Sequence, residues 1–69
     1  MAVVEKERIG VIQEFYDADT GTVVETGNAK EFDFSIVNIQ SIFSEGEEVK
    51  FITITTPSGR KIVKSIMKK

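Results

Sequence analysis

The stretch at residues 31–35 reads EFDFS, and it decides the fold class because it has the clearest period-two pattern in the chain. Successive side chains of a β-strand point to opposite faces of the sheet. Phe32 and Phe34 therefore share one face, and Asp33 lies on the other face with the two flanking polar residues. The pattern predicts a strand with one buried and one solvent-exposed face.

A turn signal and a second strand lie immediately before this stretch. Residues 26–28 read TGN, and Gly and Asn both tolerate the positive φ that tight hairpin turns need. Val23 and Val24 lie in a Thr-rich run whose composition favours a pleated, half-buried backbone. We therefore expect these two strands to pair as an antiparallel hairpin.

Three further strands are predicted from composition. Residues 9–15 lead from Ile9 into Phe15 through branched aliphatic side chains, and residues 49–55 read VKFITIT. The sequence TPSG at 56–59 fits a β-turn, with Pro at the second position and Gly at the fourth. That turn leads into a fifth strand over residues 60–67.

Residues 36–45, between the third and fourth strands, have a mixed pattern. Ile36, Ile39 and Phe43 fit one face of a helix, but the segment is too short for a stable helix in isolation. We expect a turn or a single 3₁₀ loop there. Five short strands at near-regular spacing predict an all-β fold, a closed or nearly closed antiparallel barrel, since closure removes the exposed edges of an open sheet.

Length and composition set the class of protein. The 69 residues form one domain over 1–69, and a domain of this size buries only about 60% of its unfolded surface. The chain has no Cys, which suits a reducing compartment, and its N-terminus lacks the apolar segment of a signal peptide. No apolar run approaches the roughly 20 residues needed to span a bilayer. We expect a cytoplasmic protein without membrane contact.

The residue types present argue against catalysis. His and Cys are both absent, so the chain has no imidazole base, no thiolate nucleophile and no ordinary zinc cluster. Residues 17–21 look like the start of a calcium loop, but Thr22 and Asn28 stand where such a loop needs Gly and Glu. A solvated hairpin loop is the preferred interpretation. We expect no enzymatic activity, cofactor, metal or small-molecule substrate.

The charges are unevenly distributed along the chain, whose net charge is −2. Residues 1–35 hold three Lys or Arg against eight Asp or Glu, whereas residues 36–69 hold six against three. An acidic total opposes long-range attraction to a polyanion. It leaves room for a local basic strip, because fields beyond about 8–10 Å are screened at physiological salt.

Two motifs carry a resemblance to a known family. Residues 10–15 read GVIQEF and residues 45–51 read EGEEVKF. They match the opening Gly-x-Val-Lys-Trp-Phe and the fourth-strand Gly-x-x-Val-x-Phe of cold-shock domains in their Gly, aliphatic and Phe positions. With the intervening strands, the chain resembles a cold-shock domain from end to end. The resemblance implies a five-stranded antiparallel OB-fold barrel of cold-shock type that binds single-stranded RNA or DNA through outward rings and basic side chains.

The residues that would bind nucleic acid by this resemblance are mostly replaced. The pair Gln13-Glu14 stands where the family has Lys-Trp, so Phe15 is the ring that remains in that motif. The second motif has two registers, and in both Thr22 replaces an outward ring, together with either Thr20 or Val24. Each stacked base is worth about 1–3 kcal/mol. Weak or atypical binding is therefore expected.

The third motif also has two registers, and both direct Asp33 outward. In one register Phe34 is a stacking ring and Glu31 takes the place of a Phe. In the other register Phe34 belongs to the core and Ile36 is exposed. Glu14 and Asp33 should in either case share an outer wall on which related proteins carry rings.

The resemblance implies a set of six candidate nucleic-acid-binding residues: Phe15, Thr22, Phe34, Lys50, Arg60 and Lys61. Phe15 is either an exposed stacking ring or a core side chain, and the basic residues are either a phosphate-binding strip or a solvated strand face. The alternative function is a protein-interaction or self-associating domain that has lost the nucleic-acid face. Its contacts with a protein partner or a second copy would involve Val24 and Ile36.

Overall fold

The computed structural model describes residues 4–69, and it confirms the all-β prediction. The elements in chain order are β1 (Val4–Phe15), β2 (Thr20–Glu25), β3 (Glu31–Ser35), α1 (Ile39–Ile42), β4 (Glu48–Thr55) and β5 (Lys61–Lys68). The first strand extends further toward the N-terminus than predicted, because residues 4–8 pair with β4 throughout.

The five strands form one antiparallel sheet in the order β3-β2-β1-β4-β5. β1 pairs with β2 and β4 at the same time, so Gly10 lies opposite Glu25 on one side and opposite Val49 on the other. Register shifts in the β1–β2 and β4–β5 ladders increase the local twist and bend the strands. The sheet curls into a half-barrel whose interior holds the core.

The two edge strands of the sheet, β3 and β5, face each other across what we call the seam. Each lies two antiparallel steps from β1, so the two run in the same direction. Their Cα atoms approach within 8 Å, but no hydrogen-bonded ladder joins them. Closure of the half-barrel at the seam therefore depends on side chains.

Hydrogen bonding to β2 fixes which backbone groups of β3 face the seam. Ile36 N donates to Asp19 O at 2.7 Å, which sets the phase of the alternating pairs in this ladder. Phe32 and Phe34 consequently bond to β2. The polar residues of β3 direct their backbone N–H and C=O groups at the seam: Glu31, Asp33 and Ser35.

The core is built from the inward positions of all five strands and from α1. Its buried members are Ile12, Val23, Phe32, Phe34, Ile39, Phe43, Val49, Phe51 and Val63. The Phe32 and Phe51 ring centroids lie 5.6 Å apart. A Cβ atom at Gly21 would lie 2.3 Å from Glu14 O and 2.8 Å from Phe34 Cζ, so glycine is required where β1 and β2 cross closely.

The segment between β3 and β4 corrects one prediction. It contains a single α-helical turn, α1, rather than a plain turn or 3₁₀ loop, because Phe43 N donates to Ile39 O, four residues earlier, at 3.1 Å. Ile39 and Phe43 lie one helical turn apart and are both buried in the core. Burial of these two side chains stabilises a helix that is too short to persist in isolation.

An ion pair is buried inside the curl. Arg8 Nη1 lies 2.8 Å from Glu25 Oε1, and Arg8 Nε donates to Thr53 Oγ1 at 2.9 Å. The guanidinium also lies 5.0 Å from the centroid of the Phe32 ring, within cation–π range. A hydrogen bond from the Asn28 side chain, followed by the Arg8 guanidinium, holds the pKa of Glu25 below its ordinary value.

Candidate nucleic-acid interface

The outer wall of β1, β2 and β3 carries a cross-strand row of polar residues. Glu14 lies opposite Thr22 in one ladder, and Thr22 lies opposite Asp33 in the next. The prediction that Glu14 and Asp33 share this wall is confirmed by the register. Carboxylates therefore occupy both ends of the row on the face that the resemblance assigns to nucleic acid.

Tyr16 covers the centre of that row. Its hydroxyl shares a hydrogen bond with Thr22 Oγ1 at 3.3 Å. Thr22 is only 3% exposed beneath it, whereas Tyr16 is 60% exposed. Thr22, a candidate binding residue, is thus withdrawn from direct contact, and the Tyr16 ring is presented to solvent in its place.

The β1–β2 loop that positions Tyr16 is held by its own side chains. Asp17 Oδ1 accepts hydrogen bonds from the backbone N–H groups of Asp19 and Thr20, both at 2.9 Å. The Asp19 N–H is the largest cause that holds the pKa of Asp17 below its ordinary value. Asp19 Oδ1 in turn accepts from Asn38 N at 2.9 Å. Both carboxylates of this acidic loop therefore have backbone partners, and within residues 4–69 no cluster of three or more His, Cys, Asp or Glu side chains that could hold a metal ion is present.

Phe15 and Phe34 pack against each other instead of facing outward. Their ring centroids lie 6.1 Å apart at 80°, an edge-to-face arrangement. Phe34 is buried, so in this structure it is not a stacking ring, and the interpretation of Phe34 as core is the one that fits. Phe15 is half-buried against the core. Ile36 also packs against the core, whereas the register that buries Phe34 had left Ile36 exposed.

The predicted basic residues separate into two places. Lys50 lies on the outer wall of β1 and β4, where its Nζ is 3.7 Å from Glu7 Oε1. Arg60 and Lys61, by contrast, line a cleft at the seam. Of the six candidate residues, only Arg60 and Lys61 therefore lie together as exposed cations at one site.

The seam cleft has a volume of about 710 Å³ and lies between β3 and the β4–β5 connection. Tyr16 lines it from the β1–β2 loop. Lys30, Glu31 and Asp33 line it from β3 and the residue before β3, opposite Arg60 and Lys61. Buried Phe32, Phe34 and Val63 form its apolar lining.

The three cations of the cleft have no ion-pair partner, whereas four of the other six described cations have one. Lys50, Lys64 and Lys69 each form an ion pair with a Glu residue, as does Arg8. Over residues 4–69, no carboxylate oxygen lies within 4.0 Å of a side-chain nitrogen of Lys30, Arg60 or Lys61. The cleft therefore presents three cations free to bind an external anion.

Two residues of this site were missed from the sequence. Tyr16 directly follows the strand that ends at Phe15. An aromatic residue at the first position of a loop was the sequence signal that could have identified it as a site residue. Lys30 directly precedes β3, so its place beside the seam follows from the hairpin. In neither case does the sequence pattern show that the residue lines the same cleft as Arg60 and Lys61.

No protein-family model, curated protein or solved structure matches this chain. Among the described residues 4–69, no helix has the length and apolar character needed to cross a membrane.

Proposed function

We propose that the half-barrel is a divergent cold-shock-type OB fold that binds single-stranded nucleic acid weakly in the seam cleft. The strand pairing supports this fold: β1 pairs with both β2 and β4, and β3 and β5 run parallel at the seam. OB folds are partly open five-stranded barrels that bind oligonucleotides on strands 2–3 and the flanking β1–β2 and β4–β5 loops. The seam cleft is lined by Tyr16 of the β1–β2 loop, by β3 and by Arg60 of the β4–β5 connection, which supports this proposal.

One observation carries the proposal: an exposed ring and three unpaired cations line the same cleft. Proteins that bind single strands combine a positively charged groove with rings on which bases stack. Tyr16 supplies the ring, and Arg60, Lys61 and Lys30 supply phosphate contacts. Lys50 is not included because it pairs with Glu7 away from the cleft.

The same geometry sets the strength of binding. A single stacked base contributes about 1–3 kcal/mol, whereas micromolar affinity needs about 8 kcal/mol. Glu31 and Asp33 also repel phosphates from one side of the cleft. Dissociation constants weaker than micromolar are expected, with a slope of log K against log salt of about −2 for three phosphate contacts.

Amide chemical-shift titration at low salt with a short single-stranded DNA oligonucleotide that contains all four bases tests this function. Shifts should converge on Tyr16, Arg60 and Lys61, and Tyr16→Ala should abolish most of them. Lys64→Ala is the matched control, since Lys64 is paired with Glu5 outside the cleft. Flat titrations of the unaltered protein at low salt exclude the proposed function.

A second candidate function, self-association, rests on a different face. Ile9 and Met67 lie on either side of Lys50 on the outer wall of β1, β4 and β5 and are 40% and 38% exposed. Exposed apolar groups clustered on one face mark interaction surfaces in soluble proteins. Val24 and Ile36 are less suited to this role than expected, because Val24 is half-buried and Ile36 packs against the core.

Light scattering over a range of protein concentrations tests the second candidate. A concentration-dependent dimer that disappears in Met67→Glu supports it. Met67 lies opposite Lys50 in the β4–β5 ladder, so the introduced carboxylate has a cationic neighbour in the monomer. A monomer at every concentration excludes self-association through this face.

A further inference from the structure

The two sides of the seam cleft have opposite charge. Arg60 and Lys61 give one side two positive charges, whereas on the β3 side the single cation Lys30 is outnumbered by Glu31 and Asp33. A bound strand is therefore drawn to place its phosphates along the cationic side. Its bases then point toward β3, where the carboxylates lie.

Of the two carboxylates that line the cleft, Asp33 is the one in register with the residue beneath the exposed ring. Thr22, to which the Tyr16 hydroxyl bonds, lies directly opposite Asp33. The phase of the β2–β3 ladder makes this a non-hydrogen-bonded pair, and side chains of such pairs are the closer ones, with Cα atoms about 4.5 Å apart. A base stacked on Tyr16 consequently has its edge within reach of Asp33.

The Asp33 carboxylate is free to accept hydrogen bonds. Across residues 4–69 it forms no ion pair within 4.0 Å. An ionised carboxylate is an acceptor with two oxygens and has no donor. Of the standard bases, guanine alone presents two adjacent N–H donors, N1–H and the N2 amino group, on its Watson–Crick edge. Thymine and uracil present one N–H donor between two carbonyl oxygens. A carboxylate repels those oxygens.

We propose that the seam cleft is selective for guanine, with the base stacked on Tyr16 and its N1–H and N2–H groups donated to the Asp33 carboxylate. This inference rests on the proposed function. A well-formed bidentate contact to a base edge discriminates against other bases by about tenfold.

The test compares four thymidine hexanucleotides that differ at one central base: guanine, hypoxanthine, adenine or thymine. Hypoxanthine keeps N1–H and lacks the N2 amino group. The guanine-centred strand should bind most tightly, with an affinity about tenfold higher than that of the thymine-centred strand. The hypoxanthine-centred strand should have an intermediate affinity. Fluorescence anisotropy at low salt measures all four.

Two variants separate a base contact from a general charge effect. Asp33→Asn removes a negative charge, so thymine-centred strands should bind more tightly while the preference for guanine falls to about twofold or less. Glu14→Gln is the matched control: it removes a carboxylate from the other end of the same cross-strand row and should keep the preference.

Each outcome decides one statement. No binding of any hexanucleotide overturns the proposed function and this inference with it. Equal binding of all four strands, or a guanine preference that persists in Asp33→Asn, overturns the selectivity and leaves the proposed function standing. Loss of the preference in Asp33→Asn together with its retention in Glu14→Gln confirms the role of Asp33.

Discussion

Two ion pairs with equal N–O distances show how burial determines the contribution of a single charged residue to stability. The Arg8–Glu25 and Lys64–Glu5 pairs both measure 2.8 Å, but their side chains are 8% and 13% exposed in the first pair and 55% and 53% in the second. Removing one partner of a buried pair leaves an unpaired charge in a poorly solvated place. An exposed charge is simply rehydrated.

Arg8→Met should therefore reduce the free energy of unfolding by about 3–5 kcal/mol. Lys64→Met, the matched control, should reduce it by about 1 kcal/mol or less. Equilibrium urea unfolding of both variants measures the difference. Equal losses in the two variants would show that the Glu25 charge is already solvated when Arg8 is present.

The pKa of Glu25 makes the same pair sensitive to acid. Hydrogen bonding by Asn28 and pairing with Arg8 favour the ionised form in the folded state, so its pKa lies below the unfolded value of about 4.3. The stabilisation is complete above that value and is lost as the pH falls through the folded pKa. Glu25→Gln should be less stable than the parent at neutral pH, and the deficit should shrink below about pH 4.

Urea unfolding between about pH 6 and pH 3 measures this effect. Glu14→Gln serves as the control, because Glu14 is exposed and has no ion pair in the described part of the chain. A deficit in Glu25→Gln that stays constant across this range would contradict the assignment.

In the candidate site, the direction of a side chain could be predicted only where it follows from the alternation of side chains along a strand. The period-two pattern correctly directs Asp33 outward and Phe32 inward. Alternation also puts Phe34 on the inward face with Phe32, as the structure shows; the role of Phe34 as a stacking ring came from one register of the family resemblance. Tyr16 was missed because its orientation is set by a hydrogen bond to Thr22 across a loop.

Among the elements, the strands follow from local sequence and α1 does not. Period-two alternation and β-branched composition mark the strands over several residues each. α1 has four residues, about one helical turn, which is too few to show a repeating pattern, and it forms because Ile39 inserts into the core. Its stability comes from tertiary contacts that are invisible in a four-residue window.

The two Ile residues of α1 provide a matched test of that statement. Ile39 is 1% exposed and Ile42 is 53% exposed. Ile39→Ala should cost about 2–5 kcal/mol, since it leaves a cavity in the core. Ile42→Ala should change stability by about 0.5 kcal/mol or less. Thermal and urea unfolding measure both variants, and a small effect of Ile39→Ala would mean that α1 is not anchored by the core.

Over the whole molecule, the fold converts the uneven charge of the sequence into pairs between strands. Acidic residues of β1 meet basic residues of β4 and β5: Glu7 pairs with Lys50, and Glu5 pairs with Lys64. The composition shows that the charges are unevenly distributed along the chain. It does not show which charges pair, because these pairs depend on the pairing of β1 with β4 across some 40 residues. Three of the five described cations without an ion-pair partner, Lys30, Arg60 and Lys61, lie together at the seam cleft.

Hydrogen–deuterium exchange should show the seam as an alternating pattern along β3. The amides of Phe32 and Phe34 bond to β2 and should exchange slowly, whereas those of Asp33 and Ser35 face the seam and should exchange quickly. Residue-resolved exchange by NMR measures this contrast. Uniform protection along β3 would show that a ladder joins β3 and β5 in solution.

The open seam also leaves two strand edges side by side, and such edges are templates on which further chains can add and grow into fibrils. Charged side chains at Glu31, Asp33 and Lys61 flank these edges. Any incoming chain must desolvate them, so the residues that line the cleft also keep the protein from polymerising through its edges. Neutralising them to strengthen ligand binding would therefore lower the solubility of the protein.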